Sequence, residues 1–175
     1  MRALHVHRVT KETQAIFRSM DRLRLAENGI GIAAPQVGIM QRLCIVATEP
    51  NCPTWFMVNP VIDWLSDSMV ETDEGCLSFP GRNVRVQRHT GVGVSFLDFN
   101  GHRRRYVAHR LAAIVVQHEM DHLDGITFRM RASEQTAAPA SLVAQPTPRL
   151  APAVRSSAFA AEPPHSLPSK ASPHD

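Results

Sequence analysis

The chain has 175 residues, 43% of them hydrophobic, which allows one domain of ordinary size with a real core. Lys and Arg outnumber Asp and Glu by 19 to 16, a formal charge of +3 that does not mark a nucleic-acid binder, and no apolar run approaches bilayer-spanning length. Residues 1–7 lack the apolar stretch of a secretory signal, and three cysteines (Cys44, Cys52 and Cys76) make a poor disulfide framework, so a cytoplasmic protein with free thiols is expected.

Residues 10–27 have helical periodicity, with Ile16, Phe17, Met20 and Leu23 on one face, Thr10 or Thr13 as cap, and Asn28-Gly29 as terminator. Next comes Gly29-Ile30-Gly31-Ile32-Ala33-Ala34-Pro35-Gln36, whose small residues describe backbone that something must approach closely. A phosphate loop is excluded, because the glycine spacing is wrong, no Lys-Ser or Lys-Thr follows, and Pro35 disturbs the helix that would hold the phosphate. Gln36 is the one polar side chain in this apolar stretch; alone, it reads as a satisfied amide.

From Arg42 to Asn100 the pattern is mostly strand, at 43–46, 55–58, 61–64, 84–86 and 92–96, several of them alternating as half-buried antiparallel strands do. Asp98-Phe99-Asn100-Gly101 predicts a hairpin turn, with residues 103–107 as the return strand. Arg103, Arg104 and Arg105 form the dense basic run; without an aromatic array they read as a solvated strand and not as a specific nucleic-acid site. Within this region Glu74-Gly75-Cys76-Leu77-Ser78 stands out, although a simple buried thiol is the plain alternative for Cys76, as the commoner fate of a lone cysteine. Cys44 and Cys52 read as simple buried thiols.

The stretch at 116–125, with the turns before it, then predicts a mostly buried helix, since Leu111, Ala112, Ala113, Ile114, Val115 and Val116 are apolar. His118-Glu119-Met120-Asp121-His122 puts two imidazoles on one face, one turn apart. Solvated histidines are the plain alternative, and a random shuffle of this composition shows the pattern about 2% of the time. A buried helix does not carry two histidines and a glutamate unless something pairs with them. A metal ion is such a partner; His118 and His122 would hold it, and Glu119 could take a proton from water that it activates. Cys76 would supply a third ligand and leave a fourth position open, as catalytic sites do. A metzincin-type zinc peptidase also begins this way, but it needs a third histidine where this chain has Phe128. The order of helix, strands and helix predicts an α+β fold: antiparallel sheets packed around a central metal-binding helix, with an N-terminal amphipathic helix.

Residues 133–175 contain eight of the chain's 13 prolines, much Ala and Ser, and one aromatic residue, so a disordered tail is expected beyond a catalytic domain at 1–132. His165 and His174 within it read as solvated.

Taken together, G-I-G-I-A-A-P-Q at 29–36, E-G-C-L-S at 74–78 and Q-H-E-M-D-H at 117–122 resemble the three ordered motifs of peptide deformylases. The resemblance implies Cys76, His118 and His122 as metal ligands, with Fe(2+) the usual ion and Zn(2+) or Ni(2+) able to replace it. It implies Glu119 as general base and then acid, Gln36 and the Leu77 N–H as oxyanion donors, and backbone at Ile30, Gly31 and Gly75 as the edge that pairs with substrate. Leu111, Ile114 and Val115, on the same helix face, can then line a pocket for an unbranched methionine side chain. The implied substrates are N-formylmethionyl peptides, with transient contact to the ribosome and none to membrane. A catalytically retired paralogue that binds peptides or ribosomes is the alternative, as is an amidase for another N-acyl group. Two departures from the family pattern are expected: a short segment before the first helix, and a Pro- and Ala-rich tail in place of the usual C-terminal helix after Met130. Arg82, Arg85 and Arg88 are candidates to meet a substrate carboxylate.

Overall fold

The computed structural model describes residues 1–48, 53–79 and 81–137. Cys52 and nearly all of the tail, including His165 and His174, lie outside the described residues.

Helix α1 spans Lys11–Ala26, and Thr10 and Thr13 close its first turn as a reciprocal capping box. Phe17 and Met20 are fully buried, whereas Leu23, expected on the same face, is 43% exposed; the buried Arg24 takes the inner position, bonding Asp21 and the Gly29 carbonyl. Strands β1 (Gly31–Ala33), β2 (Leu43–Val46), β3 (Trp55–Leu65), β6 (Gly91–Leu97) and β7 (Arg103–His109) form an antiparallel sheet in the order β1-β2-β3-β6-β7. Strands β4 (Met69–Gly75) and β5 (Asn83–His89) make a separate antiparallel ribbon. The Asp98–Gly101 turn links β6 to β7, with Gly101 at φ 85° and the Asp98 side chain accepting from Asn100 and His102 N–H.

The five-stranded sheet is covered on both faces, which explains the unbroken apolar run of β2. Leu43, Ile45 and Val58 pack with Phe17 and Met20 of α1. Cys44, Val46 and Met57 pack on the other face against Ala113, Val116, Met120 and Leu123 of helix α2 (Arg110–Asp124). Cys44 is fully buried, as expected of a packing thiol.

Besides the short strand β1 and the 3-10 turn Ala34–Val37, which fall in the stretch of small residues where no element was expected, three elements differ from the sequence expectation. The two strands expected at 55–58 and 61–64 are one, because a bulge at Asn59 and Pro60 lets the chain continue. Asn59 sits at φ 52° and holds the N-terminal segment through two hydrogen bonds to Val6, of 2.9 and 2.7 Å. Strand β4 was not expected; Met69–Gly75 is largely exposed, so it carries no run of core residues to announce it. A third helix, α3 (Phe128–Ala137), was not expected; it begins inside the domain drawn to residue 132 and crosses the boundary at Ser133. Phe128 anchors it, being 1% exposed and packed on the ring of Phe79.

Helix α2 follows β7 with no loop. Arg110 makes the turn at φ 53°, and its N–H bonds the Thr90 carbonyl. At the far end Gly125 (φ 75°) closes the helix in a Schellman arrangement. Any side chain there would also meet Met1, whose backbone lies 2.5 Å from the position of a Cβ.

Candidate metal centre and cleft

Helical spacing sets His118 and His122 side by side, with their Nε2 atoms 3.2 Å apart and the rings nearly perpendicular. Cys76 arrives from the β4–β5 ribbon, in a turn closed by the Phe79 N–H on the Cys76 carbonyl. Its Sγ lies 3.2 Å from His122 Nε2, and the three donor atoms fall within 4.8 Å of one another. Among the described residues this is the one cluster of three or more His, Cys, Asp or Glu able to hold a metal ion.

His118 Nδ1 contacts Glu74 Oε2 at 2.8 Å, so Nδ1 keeps its proton and Nε2 is the nitrogen that faces the cluster and would release its proton to an incoming metal. Burial alone would push the Cys76 thiol up, but hydrogen bonds from the neighbouring imidazoles prevail and hold it at about 5. Burial would likewise depress His118, but the thiolate and Glu74 raise it to about 10. The protein therefore favours the thiolate, the ligand form, before any metal binds. A thiolate beside two imidazoles with crowded Nε2 atoms is a donor set that fits a divalent transition metal.

Glu119 is 3% exposed, and its Oε2 has no hydrogen-bond partner among the described residues. Burial raises its pKa to about 7, against the pull of the two imidazoles. Gly31 explains how the carboxylate fits: a Cβ there would lie 2.3 Å from Glu119 Oε1 and 2.8 Å from Val115 Cγ1. The close approach read from the small residues of this stretch is thus made, at Gly31, by the protein's own glutamate. Gln36, in the 3-10 turn Ala34–Val37, accepts the Ala33 N–H on Oε1 at 2.7 Å. That bond fixes the amide, so Nε2 points at Ser78 Oγ (3.1 Å) and Cys76 Sγ (3.5 Å).

A cleft of about 460 Å³ opens beside these groups. Ile30, Gly31, Gly75, Leu111, Ile114 and Val115, all expected at the substrate site, line it together with Leu77, expected as an oxyanion donor, and Cys76, His118 and Glu119. Gln36 and His122 do not line it; each contacts Cys76 Sγ, at 3.5 and 3.2 Å.

Sequence reading missed the layer behind the three donors. Arg88 is 3% exposed and grips Glu74 through Nε–Oε1 (2.7 Å) and Nη2–Oε2 (2.9 Å), while its Nη1 bonds Asp121 at 2.6 Å. These bonds account for Glu74, whose burial would raise its pKa but which Arg88 and His118 hold at about 2. Arg88 therefore has no reach to a substrate carboxylate, and Arg85 lies on the surface beside Asp73 and Glu71. An acid in each motif, Glu74 before Cys76 and Asp121 before His122, was the available signal. Nothing in the sequence linked the two through Arg88.

Paired imidazoles, a thiolate, a buried carboxylate with an unpaired oxygen and an apolar cleft define a metal-dependent hydrolase. Comparison with known proteins narrows the class. The polypeptide deformylase family model matches residues 1–138. The peptide deformylase of Parasynechococcus marenigrum is 39% identical over 136 residues, covering 76% of this chain and 68% of the relative. Two solved structures are similar throughout the domain. The Met-Ala-Ser-bound class I type b peptide deformylase of Acinetobacter baumannii has a TM-score of 0.70 and 36% identity, covering 74% of this chain and 87% of that one. The Synechococcus elongatus peptide deformylase in complex with actinonin has a TM-score of 0.72 and 39% identity, covering 75% and 71%. The chain belongs to the polypeptide deformylase family.

Proposed function

We propose that this chain removes the formyl group from the N-terminal formylmethionine of newly made polypeptides, with Glu119 as proton carrier and Cys76, His118 and His122 as metal ligands. The observation that carries the assignment of residues is the unpaired, buried Glu119 oxygen beside the three convergent donors. A divalent cation held by those donors supplies Lewis acidity toward the formyl carbonyl and toward water. Glu119 takes the proton of the attacking water and delivers it to the amine, which must leave protonated. Gln36 Nε2, oriented by Ala33, and the Leu77 N–H donate to the oxyanion that develops on the formyl oxygen. The peptide runs along the backbone of Ile30, Gly31 and Gly75, and its methionine side chain packs on Leu111, Ile114 and Val115. The mixed thiolate and imidazole set suits Fe(2+), Zn(2+) or Ni(2+), with Fe(2+) as the native ion.

The substrate places the reaction in the cytoplasm, with transient contact to the ribosome; no described helix is long and apolar enough to cross a membrane. The catalytic domain includes α3. A retired paralogue is the weaker reading, since Gln36, Cys76, His118, Glu119 and His122 are all present.

The test is hydrolysis of formyl-Met-Ala-Ser by anaerobically purified, iron-loaded protein beside Glu119→Ala. Turnover lost in the variant with its metal retained is the expected result. A metal-replete wild type that leaves the peptide intact would overturn the proposal.

A further inference from the structure

Asp121 sits between the two histidines in sequence but bonds away from them, to Arg88 at 2.6 Å. Its carboxylate also accepts from Arg131 of α3, through Nε at 3.2 Å and through Nη2. Four charged side chains thus run in series from α3 to His118: Arg131, Asp121, Arg88 and Glu74. Three are nearly sealed, with side chains 10%, 4% and 5% exposed for Asp121, Arg88 and Glu74, while Arg131 is 29% exposed.

The charges of this series balance, two guanidinium groups against two carboxylates. Arg88 is shared, since one side of its guanidinium holds Glu74 in two parallel bonds and Nη1 holds Asp121. Without Arg131, Asp121 would keep Arg88 as its one cation in this series, leaving a net negative charge in a poorly solvated place. Arg88 would then be drawn toward Asp121 and away from the bonds that set the Glu74 carboxylate. Glu74 in turn fixes the His118 ring through Nδ1. We infer that Arg131 is a positioning residue for His118, acting through Asp121, Arg88 and Glu74, and that α3 is thereby tied to the metal centre. This rests on the reading of His118 as a ligand.

Partners behind a metal-bound histidine typically change affinity or activity by about 10–100-fold. Arg131 stands further back, so Arg131→Met is expected to speed release of zinc to a chelator about 3–10-fold. It should also change the visible spectrum of the cobalt-loaded protein and lower kcat on formyl-Met-Ala-Ser without raising KM. Arg131→Lys should recover part of each effect, and Asp121→Asn should reproduce them. Thr127→Ala is the control: Thr127 Oγ1 accepts the Met130 N–H at the start of α3, so its loss loosens the helix without touching the series. It should lower Tm and leave zinc release unchanged. Wild-type release and spectrum in Arg131→Met would overturn the inference. So would equal acceleration in Thr127→Ala at the same loss of Tm. Zinc release is read without substrate, so a chain inactive on formyl peptides would still decide this point.

Discussion

Replacing Gly31 with alanine puts a methyl group 2.3 Å from Glu119 Oε1, 3.0 Å from Glu119 Cδ and 2.8 Å from Val115 Cγ1. The backbone at Gly31 is extended strand that alanine adopts freely, so the cost is steric. Comfortable C···O contacts begin at about 3.3 Å, which means the carboxylate must retreat by about 1 Å. Overpacking a core typically costs about 1–3 kcal/mol. Here the main clash is with the end of one side chain, so about 1 kcal/mol of stability is expected. Catalysis should suffer more, because a 1 Å misplacement of a catalytic group can cost about 100-fold, equivalent to about 2.7 kcal/mol. Stability by urea unfolding, metal content, and kcat and KM on formyl-Met-Ala-Ser separate the two effects. The expected result is a fully metallated, slightly destabilised protein with kcat about 100-fold lower. A kcat within about threefold of wild type, or a change confined to KM, would refute the idea that Gly31 exists to make room for Glu119.

Glu74→Gln should loosen His118 and unbalance Arg88, with zinc release to a chelator about 10–100-fold faster and a loss of about 3 kcal/mol in urea unfolding. Glu74 titrates at about 2 in the folded protein against an ordinary 4.5, so the stability it contributes is complete above pH 4.5 and lost as pH falls toward 2. Unfolding curves of chelator-treated wild type should steepen in that window, and those of Glu74→Gln should lack that part of the slope. Cys76 in chelator-treated protein should react with iodoacetamide at a nearly constant rate from pH 8 down to about 6 and slow below its pKa of about 5. Peptide mapping should find Cys44 unmodified in folded protein, since burial raises its pKa and removes access. Zinc loading should protect Cys76; equal labelling with and without metal would count against it as a ligand.

Features that depend on neighbours in the chain were legible without a structure. Thr10 caps α1 three residues ahead of Thr13, Asn100-Gly101 turns β6 into β7, and two histidines four apart meet on α2. Each is decided within one or two turns of backbone, so residue type and spacing suffice. Strand β4 escaped because its stability comes from pairing with β5 and not from an apolar face of its own. Helix α3 escaped because its sequence is polar, and Phe128 recruits it to the domain by packing on Phe79.

The local chemistry of the site, a helix bearing two imidazoles and a carboxylate, was determined by the sequence alone, because one helical turn imposes that geometry. Tertiary structure decided what surrounds it. Folding brings Cys76 from 46 residues away to within 3.2 Å of His122, and sets Gly31 where any larger residue would displace Glu119. It also buries Arg88 between Glu74 and Asp121, one from each of two motifs. Those contacts join segments far apart in the chain, and their energies arise from desolvation and charge pairing that exist only once the sheet, the ribbon and α2 have packed together.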